Sequence, residues 1–243
     1  MKLATGIDAL EVTGELSGHR IMTFYPVLFH DGISTMLVDT GLPWHLPALE
    51  SAIESLGVHF STLRGIMITH QDIDHISNAR TLRKRSGATV MAHQGDIPYI
   101  QGERPLMKLN PALIASILAM IPESVREQAK AVYANPSSVP VDQQVNDGEV
   151  IPVGAGVQVI HTPGHTPGHI SLYVPSEELL IAGDSLRVEK GDLVGPNKSH
   201  TSDMVQAMGS VRKMARLKVD QVLCYHGGLF GPNSGHRIAE IAG

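Results

Sequence analysis

An α/β fold is what the sequence predicts, on three observations. Apolar strands recur along the chain, and four of them stop at a histidine or an aspartate. Segments with helical apolar spacing fill the intervals between strands. The length of 243 residues, 42% hydrophobic and 18% charged, suits one large globular domain with a sizeable core.

The elements follow in order. Ile21 to Val38 reads as hairpin strands around the turn residues Asp31-Gly32, and Val38-Asp39-Thr40-Gly41 places an aspartate at the end of that early strand. Leu46 to Leu56 carries helical spacing and stops at Gly57, a good helix C-terminus. Gly65 to Thr69 is a strand, Asn78 to Ser86 an outer helix rich in Arg and Lys, and Ala88 to Ala92 a strand ending at His93. A long segment from about 94 to 140 then holds a very apolar helix, Asn110 to Ile121, with proline in its first turn, and a more polar one, Glu123 to Tyr133. Strands return between Val150 and Leu180, Thr201 to Leu217 is a helix with Met204, Met208 and Met214, and Ser234 to Ala242 is a terminal helix.

The chemistry sits where strands stop. Directly after Gly65-Ile66-Met67-Ile68 comes Thr69-His70-Gln71-Asp72-Ile73-Asp74-His75, four metal-capable side chains within six positions. In an extended segment, alternation puts His70, Asp72 and Asp74 on one side with His75 just beyond. Nitrogen and oxygen donors mixed in this way suit zinc, iron or manganese. A polar loop capping the next helix through Asp74 or Ser77 would account for one acid, not for two acids and two histidines. Downstream, Val157 to Ile160 leads into His161-Thr162-Pro163-Gly164-His165-Thr166-Pro167-Gly168-His169, where two Pro-Gly turns exclude a helix. Leu179 to Gly183 ends in Asp184, and Val222 to Tyr225 ends in His226 followed by two glycines.

These motifs, in this order, resemble the metallo-β-lactamase superfamily over roughly Ile21 to His226. The resemblance implies an αββα sandwich of two mixed sheets with helices outside, elaborated by a helical insertion at about 94–140. It also implies a dinuclear centre: His70, Asp72 and His165 on one divalent ion, Asp74, His75 and His226 on the other, and Asp184 bridging. Metals roughly 3.5–4 Å apart would hold a bridging hydroxide, with Asp74 orienting the nucleophile. Zinc is the first expectation. The family pattern reads His-x-His-x-Asp-His, and this chain carries Asp72 at the second histidine. Three carboxylates and a hydroxide would neutralise two divalent ions, giving a weaker Lewis acid and admitting manganese or iron. Asp72→His is expected to keep the fold and shift preference towards zinc.

Remaining candidates have structural roles. Asp39 is expected to accept hydrogen bonds behind the site, His169 to support a ligand rather than replace His165, and His161 to anchor its loop. His93 is expected behind the site or in a substrate wall, and His200 on a solvated loop. His19, His30, His45, His59 and His236 read as surface or turn residues, and alternation turns Tyr225 away from the metals. Cys224 is the sole cysteine, so no internal disulfide forms, and it reads as a core residue. The apolar helix within 110–121 must bury more than one face: against the sandwich, in a homodimer surface, or as a lid on an apolar substrate. As a lid, Leu118→Glu would damage turnover far more than metal content.

A net charge of −5 and a pI near 6.2 disfavour a nucleic-acid partner. No run of 18 apolar residues offers a membrane span, and the N-terminus lacks the apolar stretch of a signal peptide, so a cytoplasmic enzyme acting on a small molecule is expected. The resemblance implies a hydrolase of an ester, lactone or thioester, of the lactonase or glyoxalase II type. The other readings are a mononuclear iron dioxygenase that oxidises a persulfide sulfur, and a non-catalytic sensor with an altered site, supported by Asp72 alone.

Overall fold

A computed structural model describes residues 1–32 and 35–243. In chain order the strands are β1 (Lys2–Ala4), β2 (Ile7–Ala9), β3 (Val12–Leu16), β4 (His19–Phe24), β5 (Val27–His30) and β6 (Thr35–Val38), followed by helix α1 (Leu46–Ser55). Next come β7 (Gly65–Met67), α2 (Ile73–Ile76), α3 (Ala79–Ser86), β8 (Thr89–His93), α4 (Ile97–Ile100), α5 (Pro111–Ala119) and α6 (Arg126–Ala134). The second half contains β9 (Gln143–Val145), β10 (Val150–Ile151), β11 (Val157–His161), β12 (Ile170–Val174), β13 (Leu179–Gly183), β14 (Arg187–Glu189) and β15 (Asp192–Val194). It closes with α7 (Met204–Met214), β16 (Gln221–Cys224), β17 (Gly228–Phe230) and α8 (Ser234–Ala242).

Two mixed sheets form the centre. One runs β1-β2-β5-β6-β7-β8-β9, the other β10-β11-β12-β13-β16-β17, while β3–β4 and β14–β15 are separate hairpins. Alternation along the strands builds the layers. In β5, Val27 and Phe29 face the opposing sheet while Leu28 faces the outer helices; in β13, Leu179 and Ile181 face inward while Leu180 and Ala182 face outward. Helices α1 and α3 cover the first sheet through Leu49, Ile53 and Leu82, and α7 and α8 cover the second through Val211, Met214 and Ile238. The result is the expected αββα sandwich. Strands covered on both faces read as unbroken apolar runs, and every residue of β13 is buried.

The parallel pairs β6–β7–β8 and β13–β16 point their C-terminal ends to one edge, where the predicted ligands gather. The helix expected at 46–56 ends as predicted, with Gly57 at φ +74° donating to the Glu54 carbonyl. Asn110 caps α5 by accepting from the Ala112 and Leu113 amides, with Pro111 in the first turn. β5 and β6 form the predicted hairpin; residues 33 and 34 of its turn region lie outside the described residues.

Three expectations need correction. Residues 70–75 are not an extended segment: β7 stops at Met67, His70 to Asp72 is loop, and Asp74 and His75 ride on the helical turn α2. His45 is not a surface residue; it is fully buried, stacked on Phe24 at 4.6 Å, with burial pushing its pKa down to about 4. Leu118 does not face a substrate, because it is the residue of α5 buried in the main core. Among the described residues, no helix is long and apolar enough to cross a membrane.

Candidate metal centre

The seven predicted ligands do converge, in two groups: His70, Asp72, His165 and Asp184, and Asp74, His75 and His226. In the first group, His165 Nε2 lies 3.0 Å from Asp72 Oδ2 and 3.4 Å from Asp184 Oδ2, and His70 Nε2 lies 3.4 Å from Asp72 Oδ2. In the second, His226 Nε2 is 3.3 Å from Asp74 Oδ2, and His75 Nε2 is 3.8 Å from it. Asp184 stands between the groups, with Oδ1 3.4 Å from His75 Nε2 and Oδ2 3.3 Å from His226 Nε2.

The donor set fits divalent metal ions. Ligand atoms bound about 2 Å from one tetrahedral ion are spaced about 3.3 Å apart, which is the spacing found here. His70 Nε2, His75 Nε2 and Asp184 Oδ1 are buried, and among the described residues they have no hydrogen-bond partner. Buried polar atoms of this kind are costly unless something binds them.

Hydrogen bonds behind the cluster aim the rings. The His75 Nδ1–H donates to Asp39 Oδ2 at 2.8 Å, and the Thr69 hydroxyl donates to the same oxygen at 2.7 Å. The Thr69 hydroxyl can then accept from the His70 Nδ1–H at 3.0 Å. Both rings thus present Nε2 to the centre, an assignment that follows from the network. Asp39 holds φ at +61°, a backbone region rare for residues with a Cβ, and its buried carboxylate is pinned by these bonds. Asp39 therefore accepts hydrogen bonds behind the site, as predicted. The His169 ring receives the Asp184 amide at Nε2, 3.0 Å away, and its Nδ1 meets the Thr162 hydroxyl at 2.8 Å, so it orients Asp184. His161 anchors its loop, with Nε2 donating to the Pro167 carbonyl at 2.9 Å. His93 stacks on His161 at 3.9 Å, behind that loop.

Charges are strongly coupled. Burial opposes ionisation of Asp72, but Lys108 and His70 outweigh it and hold the carboxyl well below its usual range. Asp184 behaves alike, through His226 and His75. Burial pushes His165 down to about 4, with Lys108 adding to the shift, leaving the neutral imidazole a metal requires. His226 goes the other way: burial lowers it, and the carboxylates of Asp184 and Asp74 raise it to about 10.

Three supporting residues escaped the sequence reading. Asp96, 1% exposed, accepts from the Gln71 amide at 2.9 Å, the Thr166 hydroxyl at 2.6 Å and the Gly168 amide at 2.8 Å, tying the His70 loop to the His165 loop. The fit explains a glycine: a Cβ on Gly168 would stand 2.3 Å from the Asp96 nitrogen. Tyr225, expected to turn away, packs on the His75 ring at 4.0 Å and donates its hydroxyl to the Asp74 carbonyl at 2.7 Å, fixing α2 from beneath. Lys108 reaches in from the loop before α5 and pairs with Asp72. No motif marks Asp96 or Lys108; only the fold brings them here. Cys224 is a buried core thiol whose pKa burial pushes up, as read from the sequence.

The cluster floors a cavity of about 640 Å³. Its lining is mostly apolar, with Ile21, Met22 and Phe24 from β4 and Leu106, Leu109, Leu113, Ile117 and Met120 from the segment between β8 and β9, and it also includes Arg20, Arg187, Glu189, Asn197 and His200.

A sequence profile of the metallo-beta-lactamase superfamily matches residues 27–226. The chain is 29% identical to a probable metallo-hydrolase, YflN, of Bacillus subtilis, over all of this chain and 94% of that one. It is 26% identical to a hydroxyacylglutathione hydrolase of Cereibacter sphaeroides, over 88% of this chain and 63% of that one. Among solved structures, a metallo-beta-lactamase family protein of Thermus thermophilus superposes with a TM-score of 0.72 at 26% identity, covering 99% of this chain and 79% of that one. The strand-end ligands, the sandwich that gathers them and these matches agree: the chain belongs to the metallo-β-lactamase superfamily and is a metallo-hydrolase of it.

Proposed function

We propose that the protein hydrolyses an ester, lactone or thioester of a small molecule with an apolar arm, using two divalent ions held by the seven residues. The observation that carries this reading is the cluster's position on the floor of an apolar cavity. The hydroxyacylglutathione hydrolase relative, by its name a thioester hydrolase, supports the substrate class.

His70, Asp72 and His165 would hold one ion, Asp74, His75 and His226 the other, with Asp184 shared. Ions held there would supply Lewis acidity towards the carbonyl oxygen and a water ionised at neutral pH. The chain's own residues do the rest. Asp74 faces the cavity, and its carboxylate would orient the attacking water and take its proton. Tyr225 and Asp39 keep Asp74 and His75 from swinging out. The apolar walls exclude bulk water and hold the arm of the substrate, which positions its carbonyl over the cluster.

Asp72 makes the donor set richer in oxygen than the family pattern. Asp72→His is expected to keep the fold and raise zinc over manganese in protein loaded from an equimolar mixture; equal metal ratios in both variants would count against a role for this carboxylate in selectivity. Because Leu118 is core, the lid is tested through Ile117, which lines the cavity from α5. Ile117→Glu is expected to reduce kcat/KM about tenfold or more on the preferred acyl substrate, because apolar contact worth about 1.5–3 kcal/mol is lost, while metal content stays at the wild-type value.

The direct test is metal identity and stoichiometry on protein purified without added metal, followed by an ester, lactone and thioester screen. Two ions per chain and turnover in that screen are expected. A second reading has one supporting observation: Asp74, His75 and His226 alone form a two-histidine, one-carboxylate set, which suits a single iron and sulfur oxidation. One iron per chain, with oxygen uptake on a persulfide, would move the protein to that class.

A further inference from the structure

The Lys108 side chain enters the first half of the cluster. Its ammonium pairs with Asp72 Oδ2, stands 2.6 Å from His165 Nε2, and donates to the His200 carbonyl at 3.1 Å. Three N–H groups thus meet three acceptors, and the side chain is only 14% exposed. Two of those acceptors, Asp72 Oδ2 and His165 Nε2, are the atoms a metal ion would need on this side. The position is held from the backbone: the Met107 amide donates to Gln71 Oε1 at 2.8 Å, and Gln71 sits between His70 and Asp72. No comparable cation enters the other half; among the described residues, the ion pairs of Asp74 are with His75 and His226.

Charge balance points the same way. Asp72, Asp74 and Asp184 bring three negative charges to one buried cluster. One divalent ion and one ammonium neutralise them, and a carboxylate buried without such a partner is costly. A second divalent ion has to displace the ammonium, because both cannot share the same lone pairs at bonding distance. The flexible four-carbon stem allows that withdrawal into the cavity that Lys108 also lines.

We propose that Lys108 is a built-in cation that competes with the metal ion for the Asp72–His165 half of the centre, so that the Asp74–His75–His226 half fills first and the other fills only when the ammonium withdraws. This rests on the metal-centre reading above. It makes Lys108 a determinant of how many metals the protein holds, and it couples the insertion segment carrying Lys108 to the second loading step.

The test is calorimetric titration of the chelator-treated full chain with zinc chloride, for wild type, Lys108→Met and Lys108→Arg. Wild type is expected to show two classes of unequal affinity. Lys108→Met is expected to tighten the weaker class at least tenfold and leave the tighter one within twofold; Lys108→Arg, which keeps the charge, is expected to leave the weaker class weak. In parallel, the Lys108 side-chain NMR signal of wild-type protein is expected to move with the second equivalent of zinc and not with the first, a readout that does not depend on any variant folding. Two equivalent tight sites in wild type, or Lys108→Met tightening both classes alike, would overturn the competition and leave the metal centre standing. No zinc bound by any of the three proteins would overturn both.

Discussion

Replacing Asp184 with alanine is expected to abolish metal binding at the cluster while leaving the fold intact. Among the described residues, Asp184 is the one carboxylate placed against all four histidines of the cluster, 4.0 Å from His70, 3.4 Å from His75 and His165, and 3.3 Å from His226. It follows the last residue of β13, so truncating its side chain removes no core packing. Its loss takes from each half a donor that nothing else supplies. Metal-ion catalysis contributes several kcal/mol of transition-state stabilisation, and each 1.36 kcal/mol is about tenfold in rate. A loss of about a thousandfold or more in kcat/KM follows, with metal content falling below one ion per chain by elemental analysis. Wild-type metal content in Asp184→Ala would refute the bridging role, and wild-type activity would refute the assignment of the centre as the catalytic site.

The second large effect is expected at a residue that holds no metal itself but ties two loops of the cluster together. Asp96→Ala removes the acceptor for the Gln71 and Gly168 amides, the Gln71 side-chain amide and the Thr166 hydroxyl, all buried. Leaving two buried backbone N–H groups unsatisfied costs about 1–3 kcal/mol each, so a loss of about 2–6 kcal/mol in unfolding free energy is expected by urea denaturation. The same bonds hold the loops of His70 and His165 in register with each other. Residues one step behind metal ligands typically influence metal affinity about 10–100-fold, and a weakening in that range is expected by chelator competition. Asp96→Asn keeps the shape but turns an amide donor towards groups that are themselves donors, so it should fall between wild type and alanine. Unchanged stability together with unchanged metal affinity in Asp96→Ala would show that the two loops are held by other means.

Much of the site was legible because its chemistry is local in sequence. His70 to His75 lie within six positions, and His165, Asp184 and His226 each follow a recognisable apolar strand. The order of these motifs led to the superfamily and its sandwich, and the alternation of β5 and β13 between two cores agrees with it. Alternation failed at residues 70–75, because the chain leaves the sheet at Met67 and turns into α2, where 3.6-residue spacing sets the directions instead. It failed again at Tyr225, which lies one residue beyond β16 and is drawn under His75 by ring packing and by the Asp74 carbonyl. The strands before residue 21 and the β14–β15 hairpin were too short to announce themselves by periodicity.

The apolar helix α5 illustrates a different limit. Composition required that it bury more than one face, and it buries Leu118 in the core while Leu113, Ile117 and Met120 line the cavity. Which residue did which depended on the rotation of the helix against α6, something its nearly all-apolar surface does not specify.

By itself the sequence marked the candidate ligands, their order and their placement near strand ends, because a metal requires particular donor atoms and a strand end delivers them. Only the tertiary structure decided that Asp96 joins two loops, that Tyr225 braces the His75 ring from behind, and that Lys108 enters the cluster. Those roles arise from contacts between residues 25 to 151 positions apart in the chain. A side chain's charge and hydrogen-bonding capacity are written in the sequence, but the partner that uses them is chosen by packing.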